Sequence, residues 1–325
     1  MFKERKVRAH TNIALIKYWG KADEELIIPL NSSLSLTLEE LYAETSVHFQ
    51  EDLTADVFIL DEEIQSGSSL SKVSHVLDLV REKAGIKAFA RVESWNHVPT
   101  AAGLASSASG MAALAGAASL AAGLDLSKEE LSRLARRGSG SASRSIYGGL
   151  AQWKKGHSDE TSYAVPVDSA DWGLGMYFVL INTEKKKVSS RDGMARTVQT
   201  YPYIDAWAET TDQDVELMKE AIADRNVTRM GELMARSAFK MHATTMGAEN
   251  PFTYIAPESL EVINFIQELR AEENIHAYFT MDAGPNVKIL TTTHDAEVLG
   301  EALRKKFGED KILYSGVGPG LQILK

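Results

Sequence analysis

The stretch from Pro99 to Ser109 has the composition of an anion-binding turn. It reads Pro-Thr-Ala-Ala-Gly-Leu-Ala-Ser-Ser-Ala-Ser, and an alanine-rich segment follows from Gly110 to Gly123. Alanine strongly favours helix, so the turn would lead into a helix N-terminus, where unpaired N–H groups and the helix dipole attract anions. The hydroxyls of Ser106 and Ser107 could donate to phosphate or complete a Mg²⁺ shell. The alternative is an ordinary helix start capped by a serine, because the Gly-Lys-Ser/Thr ending of a P-loop is absent.

Three further positions carry groups that could bind or transform a small anion. Lys17 and Lys21 flank Tyr18-Trp19-Gly20, and they otherwise form a solvated face. Arg144 follows the small-residue loop Gly-Ser-Gly-Ser-Ala-Ser, and its planar fork suits a carboxylate, although most arginines lie on the surface. Asp282 precedes Ala-Gly-Pro, and position alone favours a turn aspartate over a catalytic one.

Together these motifs resemble those of one enzyme family. Residues 12–21 read Asn-Ile-Ala-Leu-Ile-Lys-Tyr-Trp-Gly-Lys, and residues 279–287 read Phe-Thr-Met-Asp-Ala-Gly-Pro-Asn-Val. With the Pro-x-x-x-Gly-Leu-x-Ser-Ser-x-Ser turn, they resemble the diphosphomevalonate decarboxylases of the GHMP superfamily. The resemblance runs from about residue 8 to the end of the chain. The 12–21 segment is far more specific than any glycine-rich turn.

The resemblance implies an ATP- and Mg²⁺-dependent enzyme that converts (R)-5-diphosphomevalonate into isopentenyl diphosphate, ADP, phosphate and CO₂. Asp282 would face the tertiary hydroxyl as a base or an orienting group, Arg144 would hold the carboxylate, and Lys17 would lie near the reacting centre. The residues implied in substrate binding are Asn12, Tyr18, Lys21, Ser139, Ser141, Arg144, Ser190 and Arg191. Those implied in ATP binding are Ser94, Asn96, Gly103, Leu104, Ala105, Ser106, Ser107 and Lys187, with Ser106 also the candidate Mg²⁺ ligand. For the run Lys185-Lys186-Lys187, a solvent-facing role is the alternative to a flap that closes on ATP.

Composition narrows the possible partners. The 325 residues carry a net charge of −10, which disfavours nonspecific binding to nucleic acid or to an anionic membrane. The chain has no cysteine, so disulfides, thiolate metal sites and thiol nucleophiles are excluded. Neither a signal peptide nor a run of about 20 apolar residues is expected, and we predict a cytoplasmic protein. The partner is a small-molecule substrate. A homodimer is left open.

The order of strand-like and helical patterns along the chain predicts an α+β fold. Short strands and a few helices fill the first half, whereas three consecutive helical patterns begin the second half at 212–224, 228–244 and 257–273. We place the domains at 1–184, binding ATP, and 185–325. The resemblance implies a GHMP kinase-like fold, with an N-terminal domain like ribosomal protein S5 domain 2, a ferredoxin-like C-terminal domain, and the active site in the cleft between them. The alternatives are another small-molecule kinase of the superfamily and a nucleotide-sensing module without catalysis.

Overall fold

The computed structural model describes residues 2–97, 106–181 and 187–324, with the backbone alone at Ser106. Fourteen strands lie within these ranges: β1 (Arg5–Ile16), β2 (Lys21–Asp23), β3 (Ile28–Pro29), β4 (Ser33–Gln50), β5 (Val57–Leu60), β6 (Glu63–Ile64), β7 (Phe89–His97), β8 (Leu150–Trp153), β9 (Ala164–Asp168), β10 (Leu174–Val179), β11 (Tyr278–Met281), β12 (Val287–Thr292), β13 (Ile312–Gly316) and β14 (Gln322–Leu324).

Eight α-helices are described, and their ends follow local signals. Ser127 forms the predicted capping box with Glu130, and Pro257 occupies a first-turn position that needs no N–H donor. The helices are α1 (Gly67–Ala84), α2 (Ser106–Ala121), α3 (Lys128–Gly138), α4 (Ser190–Thr200), α5 (Ile204–Ala223), α6 (Val227–Met246), α7 (Pro257–Glu273) and α8 (Ala296–Phe307). Two 3₁₀ helices lie at Gly140–Ile146 and Glu309–Lys311.

The larger sheet carries both ends of the chain. Its main path runs β14-β1-β4-β7-β5-β6, and β8 and β9 extend it from the other end of β4. The helices α1, α2 and α3 cover one face, where the alanines of α2 allow the backbones to approach closely. The sequence predicts separate strands at 33–38 and 42–49, but the structure joins them in β4, because β1 pairs along nearly its whole length.

The smaller sheet is antiparallel, in the order β11-β12-β10-β13. The sequence predicts that the segment around 176–182 closes the first half, whereas β10 lies in this second sheet, between β12 and β13. Conversely, β14 crosses back to pair with β1. The domain boundary at 184/185 therefore stays a prediction. Strands pair across it twice: β10 pairs with β12 and β13, and β1 pairs with β14.

Apolar packing joins the two halves. One core cluster combines Ile13 and Leu36 of the larger sheet with Phe178 of the smaller sheet and with Met230 of α6. These side chains are fully buried, so the two sheets are held against each other by a shared core. Any group placed at the edge of this shared core is held by both halves at once.

One helix contradicts the sequence prediction. The segment 183–191 was expected to be irregular, and its residues 182–186 lie outside the described part of the chain. The helix α4 nevertheless begins at Ser190, with the Ser189 hydroxyl accepting from the Asp192 N–H as an N-cap. Few apolar residues mark this helix, which is why the 3.6-residue periodicity fails to reveal it.

Candidate active site

A partly exposed aspartate between two buried lysines lies where the halves meet. Lys17 directly follows β1, Asp282 directly follows β11, and Lys288 lies on β12. The Asp282 carboxylate accepts from Lys17 Nζ at 2.6 Å through Oδ1 and pairs with Lys288 Nζ at 3.1 Å through Oδ2. Both lysine side chains are almost completely buried, whereas 35% of the Asp282 side chain remains exposed. The carboxylate is thus the part of this cluster that a ligand can reach.

The charges of this cluster are strongly perturbed. Burial lowers the pKa of Lys17 to about 8, although the Asp282 carboxylate opposes the shift. Burial would raise the pKa of Asp282, but the ammonium groups of Lys17 and Lys288 outweigh it and hold the pKa well below its usual range. Asp282 is therefore ionised at any physiological pH. It is a strong hydrogen-bond acceptor and a weak base.

Arg144 is held in a fixed position by polar neighbours. It lies in the 3₁₀ helix Gly140–Ile146 and is 2% exposed. Its Nε donates to Asn12 Oδ1 at 3.1 Å, and its Nη1 donates to Ser33 Oγ at 2.6 Å. The Asn12 amide in turn donates to Ser145 Oγ at 2.8 Å. Burial lowers the pKa of Arg144 to about 10, so the guanidinium stays charged at neutral pH.

The loop before Arg144 packs against aromatic rings. The Tyr18 ring meets the Trp153 ring edge-on at a centroid distance of 4.8 Å. A Cβ at Gly140 would lie 2.7 Å from the Trp153 ring, so only glycine lets the loop approach this closely. Burial raises the pKa of Tyr18, which keeps its hydroxyl protonated as a donor. The neighbouring hydroxyls of Ser139 and Ser141 lie 3.4 Å apart, in hydrogen-bond contact.

Trp19 connects this region to α4. Its indole Nε1 donates to Thr197 Oγ1 at 2.9 Å, and its carbonyl accepts from Trp207 Nε1 at 3.0 Å. Trp19 is 3% exposed and lines the cavity described below, so the same residue anchors α4 and α5 and forms part of the cavity wall. The anchored α4 presents Ser190 and Arg191 at its first turn.

The residues predicted to bind ATP fall into three groups. Ser94 and Asn96 lie on β7, and Ser94 Oγ is 2.8 Å from Thr45 Oγ1. Ser107 lies exposed in the first turn of α2. Gly103, Leu104 and Ala105 lie outside the described residues, as does the side chain of Ser106. Lys187 is exposed and does not line the cavity described next.

One cavity of about 890 Å³ brings the described candidates together. Its wall includes Asp282, Ser190 and Arg191 from the second half of the chain and the following from the first half: Asn12, Lys17, Tyr18, Lys21, Ser94, Asn96, Ser107, Ser139, Ser141 and Arg144. A volume near the upper end of the range for ligand sites accommodates two small molecules side by side.

Sequence reasoning missed two cations at this site. Lys288 gave no signal because it is a single lysine in an apolar strand, and only the pairing of Met281 with Val287 brings it beside Asp282. Lys72 lies on the exposed face of α1 and lines the cavity, whereas Lys288 reaches the site only through Asp282. The adjacent residue Val73 belongs to the buried stripe of α1. Helical spacing therefore places Lys72 on the solvent-facing side and gives no sign of a binding role.

The residues that the structure describes include no group of three His, Cys, Asp or Glu side chains placed to hold a metal ion. The donors at the predicted phosphate site are instead serine hydroxyls at the start of α2. Mg²⁺ is commonly held by substrate phosphates with only one or two protein ligands. These residues therefore fit a metal that arrives with a nucleotide. Over the same described ranges, no helix is long and apolar enough to cross a membrane.

Fold and cavity together define a class of protein: a two-domain α+β enzyme of the GHMP type, with cations, hydroxyls and one carboxylate facing a shared cleft. Comparisons with known proteins narrow this class. The family described as "Diphosphomevalonate decarboxylase-like N-terminal domain" matches residues 9–164, and "Mevalonate 5-diphosphate decarboxylase C-terminal domain" matches residues 176–317.

Solved structures and curated proteins of this family resemble the chain over nearly its full length. The crystal structure of mevalonate diphosphate decarboxylase from Staphylococcus aureus is 50% identical, with a TM-score of 0.96 over 100% of this chain and 99% of that one. A related protein solved with MVAPP, AMPPCP and magnesium is 51% identical, with a TM-score of 0.95 over 100% of both chains. Diphosphomevalonate decarboxylase of Candida albicans is 32% identical over 97% of this chain and 96% of its own. The chain belongs to the diphosphomevalonate decarboxylase family.

Proposed function

We propose that this protein catalyses the ATP-dependent decarboxylation of (R)-5-diphosphomevalonate to isopentenyl diphosphate, with release of ADP, phosphate and CO₂. The observation that carries the proposal is the convergence of Asp282, Lys17 and Arg144 on one cavity, where Lys288 pairs with Asp282 without lining the wall. A phosphoryl-transfer and decarboxylation site needs a group for the hydroxyl, cations for the phosphates and a cation for the carboxylate. Asp282, Lys17 and Arg144, with Lys21 and Arg191 on the same wall, come from both halves of the chain and supply all three.

In the first step, the tertiary hydroxyl of the substrate attacks the γ-phosphorus of ATP, and the bond from that phosphorus to ADP breaks. The hydroxyl proton leaves late and passes to the Asp282 carboxylate, because the oxygen becomes strongly acidic once it bonds to phosphorus. We assign Asp282 to accept the hydrogen bond of that hydroxyl and to aim its oxygen at the phosphorus. A carboxylate held ionised by Lys17 and Lys288 is a poor proton acceptor. Phosphoryl transfer through a loose transition state demands positioning and charge stabilisation more than a strong base, so orientation by Asp282 suffices. Lys17 is placed to offset the charge of the transferred group.

In the second step, phosphate leaves C3, positive charge develops there, and loss of CO₂ supplies the electron pair of the new double bond. We assign Arg144 to hold the carboxylate, since its guanidinium lines the cavity and is fixed by Asn12 and Ser33. A fixed guanidinium orients the carboxylate so that the breaking bond aligns with the emptying orbital at C3.

The remaining candidates are assigned by position. Tyr18, Lys21, Ser139, Ser141, Ser190 and Arg191 form the wall proposed for the diphosphate, and Asn12 positions Arg144 beside it. Ser94, Asn96 and Ser107 form the wall proposed for ATP. Gly103, Leu104, Ala105, Ser106 and Lys187 stay proposed ATP contacts on the strength of the family resemblance alone. When bound with ATP, Mg²⁺ would be held by phosphate oxygens and by Ser106, and it neutralises the charge that develops on the transferred group.

The decisive experiment supplies ATP and Mg²⁺ with diphosphomevalonate, 5-phosphomevalonate or mevalonate, and measures ADP and CO₂ separately. We expect equal amounts of ADP and CO₂ with diphosphomevalonate, and a much lower kcat/KM with the other two. ADP without CO₂ would indicate a kinase of the same superfamily. Nucleotide binding without ADP release from any of the three would indicate a sensing module.

We also propose that the enzyme acts in the cytoplasm on soluble small molecules, without a nucleic-acid or membrane partner. The net charge of −10 supports this, because it repels both polyanionic surfaces. A homodimer is the proposed assembly, and sedimentation at micromolar concentration tests it. For the domains we keep the proposed limits of 1–184 and 185–325, which limited proteolysis of the whole chain can test.

A further inference from the structure

A second, smaller cavity lies beneath α1 and α3, on residues that the active-site cavity does not use. Its volume is about 150 Å³. Its apolar wall consists of Leu79, Val80, Leu124, Leu126 and Leu134. Four of these five keep part of their surface uncovered, all except Val80. An apolar cavity of this volume is large enough for a molecule the size of benzene.

The rim of this cavity is rich in arginine. Asp159 accepts from Arg133 at 2.6 Å, also contacts Arg136, and lies 3.8 Å from Arg137. Lys83 and Glu130, which also line the cavity, pair with each other at 3.2 Å. Glu160 also lies 3.8 Å from Arg133. The four cations therefore face three carboxylates, and the cluster keeps one excess positive charge on a protein of net charge −10.

Several donors of these arginines are buried without a protein partner. Arg136, which lies behind the cavity wall, has no exposed surface, and its Nε and Nη1 have no hydrogen-bond partner within the described residues. The Nε of Arg137, which lines the cavity, is likewise buried and unpartnered there. Unpaired buried N–H groups of charged side chains are costly, and a bound oxyanion is the acceptor that guanidinium geometry suits best.

From this arrangement we propose that the cavity is an accessory binding site for a small amphipathic anion. The ligand carries one carboxylate or phosphate head, which meets the Arg137 guanidinium on the cavity wall, and a hydrocarbon body of about five or six carbons, which covers the leucines. Neither feature alone defines this chemistry: the leucines would suit a neutral hydrocarbon, and the guanidinium groups would suit a bare inorganic anion.

The site adjoins the proposed catalytic cavity along the chain. Arg137 lines the accessory cavity, whereas the next residue, Gly138, lines the larger one and leads into Ser139. The two cavities share no lining residue, so a ligand in one leaves the other open. Binding at the two sites can therefore be measured separately, and the proposal stands whether or not the proposed reaction is correct.

The test is titration of the whole protein, labelled with ¹³C at leucine methyl groups, with hexanoate and with hexyl phosphate. We expect saturable shifts at Leu79, Leu124, Leu126 and Leu134, with a Kd on the order of 1 mM for a ligand of this size. Hexan-1-ol and inorganic phosphate are the matched probes that lack one feature each. At the same concentrations we expect both to bind at least about tenfold more weakly.

The matching variant is Arg137→Met, which keeps the aliphatic stem and removes the charge. We expect it to weaken hexanoate binding about tenfold or more, the size of a charge-assisted hydrogen bond, while Arg229→Met on the exposed surface of α6 leaves binding unchanged. Leu126→Phe, which fills the cavity from its apolar side, should weaken the binding of hexyl phosphate by the same factor. Unshifted leucines, equal binding of hexan-1-ol, or full binding to folded Arg137→Met would each overturn the proposal.

Discussion

The cations around Asp282 and those around Asp159 form two clusters that differ in what they join. Asp282 pairs with Lys17, which is 265 positions away in the chain, and with Lys288. Asp159 pairs only with residues at most 26 positions away, the three arginines of α3. The first cluster exists only when both halves of the chain are folded together, whereas the second belongs to one half. A carboxylate held across the two halves and open to the larger cavity can serve chemistry, whereas Asp159, which lines only the smaller cavity, mainly stabilises its helix.

The largest effect is expected from Asp282→Asn. We expect kcat to fall about 10³-fold, because the amide cannot orient the hydroxyl as the carboxylate does. Diphosphomevalonate binding, measured by calorimetry, should change less than about threefold. Asp224→Asn at the exposed end of α5 is the control. A variant with kcat within tenfold of the parent would remove Asp282 from its proposed role.

Next in size is Arg144→Ala. Losing the guanidinium should lower kcat/KM for diphosphomevalonate about 100-fold, the scale of a lost charge-assisted pair, with little change in the KM for ATP. Arg229→Ala serves as the control, since Arg229 pairs with Glu220 on the surface. Steady-state kinetics with each substrate varied in turn measures both effects. An equal loss of ATP affinity would contradict the assignment to the carboxylate.

The second cluster should respond in stability rather than in rate. Asp159→Asn leaves Arg133, Arg136 and Arg137 without their shared counter-charge, so we expect the free energy of unfolding to fall by about 2 kcal/mol. This is less than for a fully buried pair, because Asp159 is partly exposed. Urea unfolding measures it, with Asp78→Asn on the exposed face of α1 as the control. A tenfold loss of kcat in Asp159→Asn would mean that the Asp159 cluster also serves the reaction, which contradicts this prediction.

A smaller effect is expected from Lys288→Met. With one ammonium removed, the pKa of Asp282 rises, and we expect kcat to fall about tenfold. The carboxylate is the active form, so activity is lost as the pH falls through its pKa. Because the pKa of Asp282 lies well below its usual range in the parent, the loss of activity at low pH should set in at a higher pH in the variant than in the parent. Lys305→Met on α8 controls for loss of charge. An unmoved acid limb would mean that Lys288 does not act through Asp282.

The smallest effect concerns Lys17, and it is measured first as the pH profile of the parent enzyme. Because its pKa is about 8, Lys17 loses its charge as the pH rises through that value. We expect kcat/KM, which reports the free enzyme, to halve near pH 8 and to continue falling above it. Lys17→Arg should move this alkaline limb upward by more than about one pH unit, since arginine stays protonated. A profile that is flat to about pH 9.5 in the parent enzyme would contradict this reading of Lys17.

Much of the fold was predictable because local signals and packing agree. The capping box at Ser127, the proline that opens α7 and the apolar stripe of α1 each place a helix close to its observed bounds. The helix α4 was missed because the contact of Thr197 with Trp19, rather than an apolar stripe, holds it in place. The position of β10 was also wrong, since no local pattern states which sheet a buried strand will join.

The candidate site was predictable only in part. Motif resemblance identified residues such as Lys17, Arg144 and Asp282 that line one cavity, but it contained nothing about their mutual contacts. The sequence suggested Asn12 as a substrate contact, and the structure shows its amide committed to Arg144 and Ser145. The second lysine beside Asp282 depends on the register between β11 and β12, which a pattern of residue types does not encode.

The pairing of β14 with β1 places Leu324 beside Lys6. A short linker could therefore join the two ends into a closed ring, and the ring could be reopened elsewhere. The exposed turn at 51–55 between β4 and β5 suits such a cut, since it lines neither cavity. A permuted chain of this kind should fold and turn over like the parent, because every strand pairing and every catalytic contact survives the change of order.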